Sequence, residues 1–239
     1  KEIKPKHFVE QNNDIQLGMV TYCNPINLDE LKQLTNKKNF RFLAGGTDLN
    51  LQRPIINEVK NTIINLSNIK ELKEIEIQDN NLLLGSAVSI ENFLEIIKDK
   101  IPELIELLQR FGSPQIRNQG TIGGNLCTSS PIGDIAPVLL ALNSKLNIFS
   151  REGTKKVYLR DFYTGYRKNI LNKDEIISSI EIPLPKKDYN LFCWKLSKRY
   201  DQDISTISLT VYIKIKDQII DDIHLAAGGI AEIPKTLEG

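Results

Sequence analysis

The chain is poor in the residues that carry most side-chain chemistry. Its 239 residues hold two histidines, His7 and His224, and three scattered cysteines, Cys23, Cys127 and Cys193. No CxxC pair occurs, which excludes a zinc ribbon or an iron–sulfur cluster ligated wholly within the chain. An odd, dispersed set of cysteines argues against a disulfide framework and for a reducing, cytoplasmic setting. A Ser-His-Asp or Cys-His hydrolase would have to recruit one of two histidines, and neither has a catalytic-looking neighbourhood.

Charge excess is also missing. Lys and Arg total 31, Asp and Glu total 30, and the formal net charge is +1. Such a chain has no global field to hold a polyanion, so no nucleic-acid or membrane-surface partner is expected. There is no signal peptide and no apolar run near 18 residues, so neither secretion nor a membrane span is expected. Repeats and low-complexity tracts are absent. The start at Lys1 rather than Met, and the stop at Gly239, lead us to expect a fragment of a longer polypeptide.

What remains is a core-forming chain, 41% hydrophobic. Its length suits one large domain or two small ones, able to bury roughly 70% of the unfolded surface. Asn27 caps a short helix with Glu30 three residues on and Leu28, Leu31 and Leu34 on one face. Strands are expected at residues 40–44 and 62–66, and a hairpin at 74–84 turning at Asp79-Asn80-Asn81. Ser89 caps a helix over residues 90–98, and Pro102 opens another that stops at Gly112. Residues 113–133 are mostly Gly, Ser, Thr, Asn and Pro and read as a long irregular stretch, followed by a helix at 134–142. A hairpin near Arg151-Glu152-Gly153-Thr154 and strands at 175–182, 210–215 and 219–227 complete the pass. Helices and hairpins mix without regular βαβ alternation, so the class is α+β.

Two glycine-rich loops stand out. In the first, Arg41-Phe42-Leu43-Ala44-Gly45-Gly46-Thr47-Asp48-Leu49, a strand ends in a glycine pair, a hydroxyl and a carboxylate. Successive N–H groups there can form a nest for anionic oxygen, with Thr47 adding a donor. The same residues are compatible with an ordinary turn closing a strand. The second runs from Gly120-Thr121-Ile122-Gly123-Gly124-Asn125 through Thr128 to Asp134. It is neither GxGxxG nor a P-loop, and Asp134 also suits a helix N-cap. About 20 residues without regular structure inside a compact domain point to function. Two such loops, about 75 positions apart, suit a ligand with phosphates to cradle and hydroxyls to hold, such as a dinucleotide.

Three runs carry a family resemblance: Leu43-Ala44-Gly45-Gly46-Thr47-Asp48, Arg117-Asn118-Gln119-Gly120-Thr121-Ile122-Gly123-Gly124-Asn125 and Ser130-Pro131-Ile132-Gly133-Asp134. In this order and spacing they resemble the FAD-binding part of the molybdenum hydroxylases, such as the CO dehydrogenase medium chain. A fourth, Lys195-Leu196-Ser197-Lys198-Arg199-Tyr200-Asp201-Gln202-Asp203-Ile204-Ser205, is similar to the bacterial xanthine dehydrogenase small subunit. The resemblance covers residues from about 20 onward. It implies a two-lobed FAD-binding domain of the molybdenum hydroxylase and vanillyl-alcohol oxidase type over residues 20–185. Residues 1–19 would be a linker from a missing iron–sulfur domain, and 186–239 part of a C-terminal antiparallel-sheet domain.

The resemblance also implies roles. Arg41, Phe42, Leu43, Ala44, Gly45, Gly46, Thr47, Asp48 and Leu49 would wrap the FAD pyrophosphate, with backbone donors at Gly45, Gly46 and Thr47. Gly120, Thr121, Gly124, Asn125 and Thr128 would lie around the pyrophosphate and flavin end, and Asp134 would accept from the adenosine ribose. Phe111 and Ile177 match apolar positions near the cofactor, and core packing accounts for both equally well. Lys195 matches a lysine near the flavin ring. Residues 198–203 are either a gate on the path of NAD or a solvated charged loop. Cys127 lacks a His or Lys neighbour and reads as a packing residue. His224 reads as a structural strand residue, and His7 as exposed in the linker.

The implied activity is that of a flavin module in xanthine dehydrogenase, which converts xanthine, NAD and water to urate and NADH. Implied partners are a molybdopterin-binding large subunit, an upstream 2Fe-2S domain and NAD. The 2Fe-2S clusters and the molybdenum cofactor would lie on other domains or chains. Sister hydroxylases of aldehyde, nicotinate or CO, a stand-alone FAD oxidoreductase, and an assembly subunit without FAD remain alternatives.

Overall fold

A computed structural model of the chain describes residues 14–17, 19–37, 39–51 and 62–237. His7 and most of the expected linker lie outside the described residues. Three layers of strands and one helical layer build the molecule.

The first sheet contains β1 (Ile15–Leu17), β2 (Val20–Cys23), β3 (Phe40–Leu43) and β4 (Thr62–Asn65) in the order β1-β2-β4-β3. Residues 15–17, expected within a linker, instead pair antiparallel with β2, Ile15 opposite Tyr22. β4 runs parallel to both β2 and β3, and α1 (Leu28–Leu34) is the crossover between β2 and β3. The expected cap forms there: Asn27 Oδ1 accepts from the Glu30 N–H at 2.8 Å, and Glu30 Oε2 accepts from the Ile26 N–H at 3.1 Å. Leu31, Phe40, Ile64, Leu66, Ile69, Leu72 and Ile176 form the core of this lobe.

A five-stranded antiparallel sheet follows, from β5 (Ile75–Gln78), β6 (Asn81–Gly85), β7 (Lys145–Ser150), β8 (Gly153–Tyr158) and β11 (Ile176–Pro183). The turn joining β5 to β6 places Asp79 and Asn80 at φ 50° and 60°, the left-handed pair that a two-residue hairpin turn demands. Helices α2 (Ile90–Ile97), α3 (Ile105–Gln109), α4 (Pro114–Gln119), α5 (Ile122–Cys127) and α6 (Ile135–Ala141) lie between β6 and β7 in the chain. Their apolar faces share one core with that sheet, built on Leu82, Leu84, Phe93, Ile97, Leu126, Leu146, Ile148 and Ile180.

Residues 113–133 are not the irregular stretch expected from their composition, because two caps convert them into short helices. Ser113 Oγ accepts from the Ile116 N–H with Pro114 at the first helical position, and Thr121 Oγ1 accepts from the Gly124 N–H. Local capping outweighs the weak helix propensity of glycine over these short spans. α6 is buried on every side, as a helix sandwiched between layers must be. Asp134 precedes it in helical conformation and makes no side-chain cap bond.

The small hairpin β9 (Tyr163–Gly165) and β10 (Lys168–Asn169) leads to β11 (Ile176–Pro183), the centre of the five-stranded sheet. The chain closes with an antiparallel sheet of β12 (Asn190–Leu196), β13 (Ile207–Lys216), β14 (Ile219–Gly228) and β15 (Lys235–Leu237) in sequential order. One face of it packs on α6, where Leu191, Tyr212 and Ala226 join the main core. The class is α+β as expected, with one parallel β–α–β unit in the first lobe.

Candidate functional site

Where β3 ends, the chain turns into a cleft of about 680 Å³ between the first lobe and the helical layer, within the range of small-molecule sites. Gly46 turns at φ 72°, a left-handed conformation that suits glycine. Gly45 serves a different need. A Cβ there would sit 1.8 Å from the Gln119 carbonyl oxygen, so the absence of a side chain lets the first loop touch the α4–α5 junction. The N–H groups of Gly45, Gly46, Thr47 and Asp48 find no acceptor among the described residues. Four unpaired donors beside a cleft form a ready site for anionic oxygen.

The opposite wall behaves differently. The Ile122 N–H donates to Val88 O at 3.1 Å, Gly123 to Ser86 O at 2.9 Å, Gly124 to Thr121 Oγ1 at 3.1 Å and Asn125 to Thr121 O at 2.9 Å. Gly120 donates to Ile116 O at 2.7 Å. The fold thus consumes nearly all the backbone donors of the second loop. The Thr121 N–H and the Asn125 side chain have no partner among the described residues.

Fifteen of the sequence-predicted residues line this cleft: Phe42, Leu43, Ala44, Gly45, Gly46, Thr47, Asp48, Leu49, Phe111, Gly120, Thr121, Gly124, Asn125, Thr128 and Ile177. Arg41, Asp134 and Lys195 do not. Arg41 lies on β3 one residue before the lining begins at Phe42. Asp134 and Lys195 form a buried ion pair at 2.7 Å, with Ser205 Oγ donating to the other carboxylate oxygen. Lys195 Nζ also donates to Arg110 O at 3.2 Å, and Arg110 Nη1 donates to Lys195 O at 2.9 Å. This knot ties the end of β12 to the turn that carries Phe111. A second clamp acts on the same turn. Buried Arg117 pairs with Glu91 at 2.6 Å and donates to the carbonyls of Gln109, Phe111 and Gly112.

Residues 198–203 lie outside the cleft lining. Arg110 fastens them, through Nε to Tyr200 O at 3.1 Å, Nη2 to Ser197 Oγ at 3.1 Å and its guanidinium 4.5 Å from the Tyr200 ring centre. His224 lies on β14, exposed, with Nε2 3.2 Å from Asp222. Cys127 lines the cleft, and burial pushes its thiol up to about 12, far from the thiolate a nucleophile needs. Burial likewise raises the neighbouring Tyr163 hydroxyl.

Residues that the sequence reading missed complete the lining, including Ser86, Ile90, Asn169, Leu171, Lys173 and Glu175. Asn169 is central among them. Its Nδ2 donates to Cys127 O and Ser129 Oγ, each at 3.0 Å, and its Oδ1 accepts from the Leu171 N–H. Nothing in the local sequence marked it, because its partners lie some 40 positions away. The cleft thus offers donors for an anionic group at one end and an apolar slot between Phe42, Ile90, Phe111 and Ile177.

A family profile described as the FAD binding domain in molybdopterin dehydrogenase matches residues 16–185. The chain belongs to this family. The xanthine dehydrogenase FAD-binding subunit of Escherichia coli O157:H7 is 31% identical over 210 residues, which cover 86% of this chain and 72% of that protein. The glyceraldehyde dehydrogenase medium chain of Sulfolobus acidocaldarius is 31% identical over 208 residues, covering 86% and 73%. Xanthine dehydrogenase/oxidase of Gallus gallus is 30% identical over 250 residues, covering 96% of this chain and 18% of its own length. The chain therefore spans less than a fifth of that relative. The fold of this FAD-binding domain superposes on a chain of Cu,Mo-CO dehydrogenase with a TM-score of 0.82 at 23% identity, over 90% of this chain and 76% of that one. Among the described residues no helix is long and apolar enough to cross a membrane.

Proposed function

We propose that the cleft holds FAD and that the domain is the electron-transfer module of a xanthine dehydrogenase. In this reading it links iron–sulfur clusters on a neighbouring domain to NAD. The observation that carries the reading is the row of N–H groups at Gly45, Gly46, Thr47 and Asp48, without an acceptor among the described residues, set beside apolar side chains in the same cleft. A dinucleotide presents those two chemistries together, a diphosphate and flat ring systems.

FAD, when bound, supplies the redox chemistry, taking electrons from one partner and delivering a hydride to another. The chain contributes binding and orientation. The donor row and the Thr121 N–H would hold the diphosphate. Phe42, Ile90, Phe111 and Ile177 would enclose the apolar portion and exclude water, and Asn125 and Thr128 would offer polar contacts. Asp134 and Lys195, buried against each other, would act through the Phe111 turn they support rather than by touching the cofactor.

The partners in this reading are a molybdopterin-binding large subunit, a 2Fe-2S domain and NAD. Similarity to the xanthine dehydrogenase FAD-binding subunit supports xanthine as the substrate oxidised elsewhere in the complex. Equal identity to a glyceraldehyde dehydrogenase medium chain favours a second reading, in which an aldehyde takes that place. The full-length protein reconstituted with FAD is expected to show a flavin absorption spectrum that NADH bleaches. Absence of bound flavin would overturn the reading. Assay of the complete complex with xanthine and with glyceraldehyde decides between the two substrates.

A further inference from the structure

The charges around the cleft do not match an anionic ligand. Its lining carries two carboxylates, Asp48 and Glu175, and one cation, Lys173. Glu175 is paired with Lys155 at 2.6 Å, and Lys173 Nζ stands 5.4 Å from the Phe40 ring centre. Three cations close to the cleft walls are engaged in holding the fold: Arg117 by Glu91, Lys195 by Asp134 and Arg110 by the carbonyls of Lys195 and Tyr200. Among the described residues, the donor row at residues 45–48 therefore sits beside a carboxylate of its own loop, and Lys173 is the one cation of the lining.

One cation stands across the mouth. The tip of the β9–β10 hairpin brings the Arg167 guanidinium to 4.0 Å from Asp48, with the Arg167 side chain 53% exposed. Asp48 is its only polar partner among the described residues. The hairpin is rooted on the far wall, where Asn169 bonds Cys127 O and Ser129 Oγ at the end of α5. It thus spans from the second wall to the first loop. The backbone at Arg167 is held at φ 52°, a region uncommon for a residue with a long side chain.

We propose that Arg167 is a cofactor-positioning residue that closes over the diphosphate-binding loop and brings a positive charge to the donor row. The inference rests on the reading of the cleft as a dinucleotide site. Asp48 holds the guanidinium over the loop, and the planar fork then meets two phosphate oxygens together, which an ammonium cannot do. The hairpin fixes where that charge arrives, because Asn169 ties it to the wall opposite the donor row.

The test is a binding titration of the complete protein, stripped of flavin, with FAD and with riboflavin, which lacks the diphosphate. Arg167→Asn removes the charge while keeping a residue type that tolerates the left-handed backbone, and Arg167→Lys keeps a point charge without the fork. Arg167→Asn is expected to weaken FAD about five- to tenfold, as for a partly exposed charge-assisted contact, and to leave riboflavin affinity unchanged. The loss should shrink at high salt, and Arg167→Lys should recover part of it. Unaltered FAD affinity in Arg167→Asn, or equal losses for FAD and riboflavin, would overturn the proposal while leaving the cofactor reading intact. Failure of the wild-type protein to bind FAD would overturn both.

Discussion

Replacing Gly45 by alanine puts a methyl carbon 1.8 Å from the Gln119 carbonyl oxygen and 2.6 Å from its carbon. Ordinary contact begins near 3.4 Å, so the two chain segments must separate by roughly 1.5 Å. The α4–α5 junction cannot supply that movement cheaply. Gly120 O accepts from the Ile90 N–H at 2.9 Å, the Gly120 N–H donates to Ile116 O at 2.7 Å, and the Ile122 N–H donates to Val88 O at 3.1 Å. The first loop must therefore give way, and its donor row moves with it. Overpacking costs about 1–3 kcal/mol; a clash of backbone against backbone belongs at the upper end, about 3 kcal/mol. For a domain of this size that is a fall in Tm of about 6–12 °C. Differential scanning calorimetry reads the stability, and FAD titration reads the displaced donors. Gly165→Ala is the control, since a Cβ there meets nothing within 4 Å, and it should stay within about 0.5 kcal/mol of wild type. A Gly45→Ala protein as stable as the control, and retaining FAD, would refute the account of the loop contact.

Three further outcomes are expected. Lys195→Met leaves the Asp134 carboxylate buried with Ser205 as its remaining side-chain partner, and should cost about 3–5 kcal/mol in urea unfolding; a cost under about 1 kcal/mol would deny the pair its clamping role. Thr121→Val removes the acceptor of the Gly124 N–H and should lower stability by about 1 kcal/mol, the usual worth of an N-cap, read from the same unfolding curves. Glu181 is held below the ordinary carboxyl range chiefly by its bond to Lys156. A depressed carboxyl contributes stability that is fully present above its unfolded value, near 4.3, and is lost as pH falls through the folded value. Glu181→Gln should therefore flatten the loss of stability below about pH 4 in a pH series of unfolding midpoints, and an unchanged acid slope would count against the pairing.

How far the sequence carried depends on whether the deciding interactions were local. The Asn27 helix start and the Asp79-Asn80 hairpin turn were legible because a cap and a left-handed turn are decided within four residues. Residues 113–133 were misread although their caps are also local, because their glycines and prolines weighed more in the reading than Ser113 and Thr121 did. Long-range outcomes left no mark. The parallel register of β3 with β4, the pairing of Asp134 with Lys195 across 61 positions, and the anchoring of Asn169 are decided by tertiary packing. Of the expected site residues, fifteen line the cleft, and the three that do not, Arg41, Asp134 and Lys195, are all charged. A charged side chain in a motif can bind a ligand or hold the fold, and only its partners distinguish the two.

The two loops also show why glycine patterns and ligand contacts should be kept apart. Gly123 meets Ser86 so closely that a Cβ would lie 2.5 Å from the serine Cβ, and Gly45 meets Gln119 closer still. Both glycines are required by chain against chain. The start of α5 resembles an anion site in sequence, yet its first N–H groups already donate to Val88, Ser86 and Thr121, and a donor so engaged has little left to offer a phosphate. The first loop has the opposite arrangement, with four consecutive N–H groups that find no acceptor among the described residues. An unpaired backbone donor costs free energy wherever water reaches it poorly, so a fold that leaves four together gains most when an anion satisfies them. The second loop is then the template against which the first is pressed into shape. Gly45 meets that template at the Gln119 carbonyl, which is why one methyl group there is expected to disturb binding without touching the ligand.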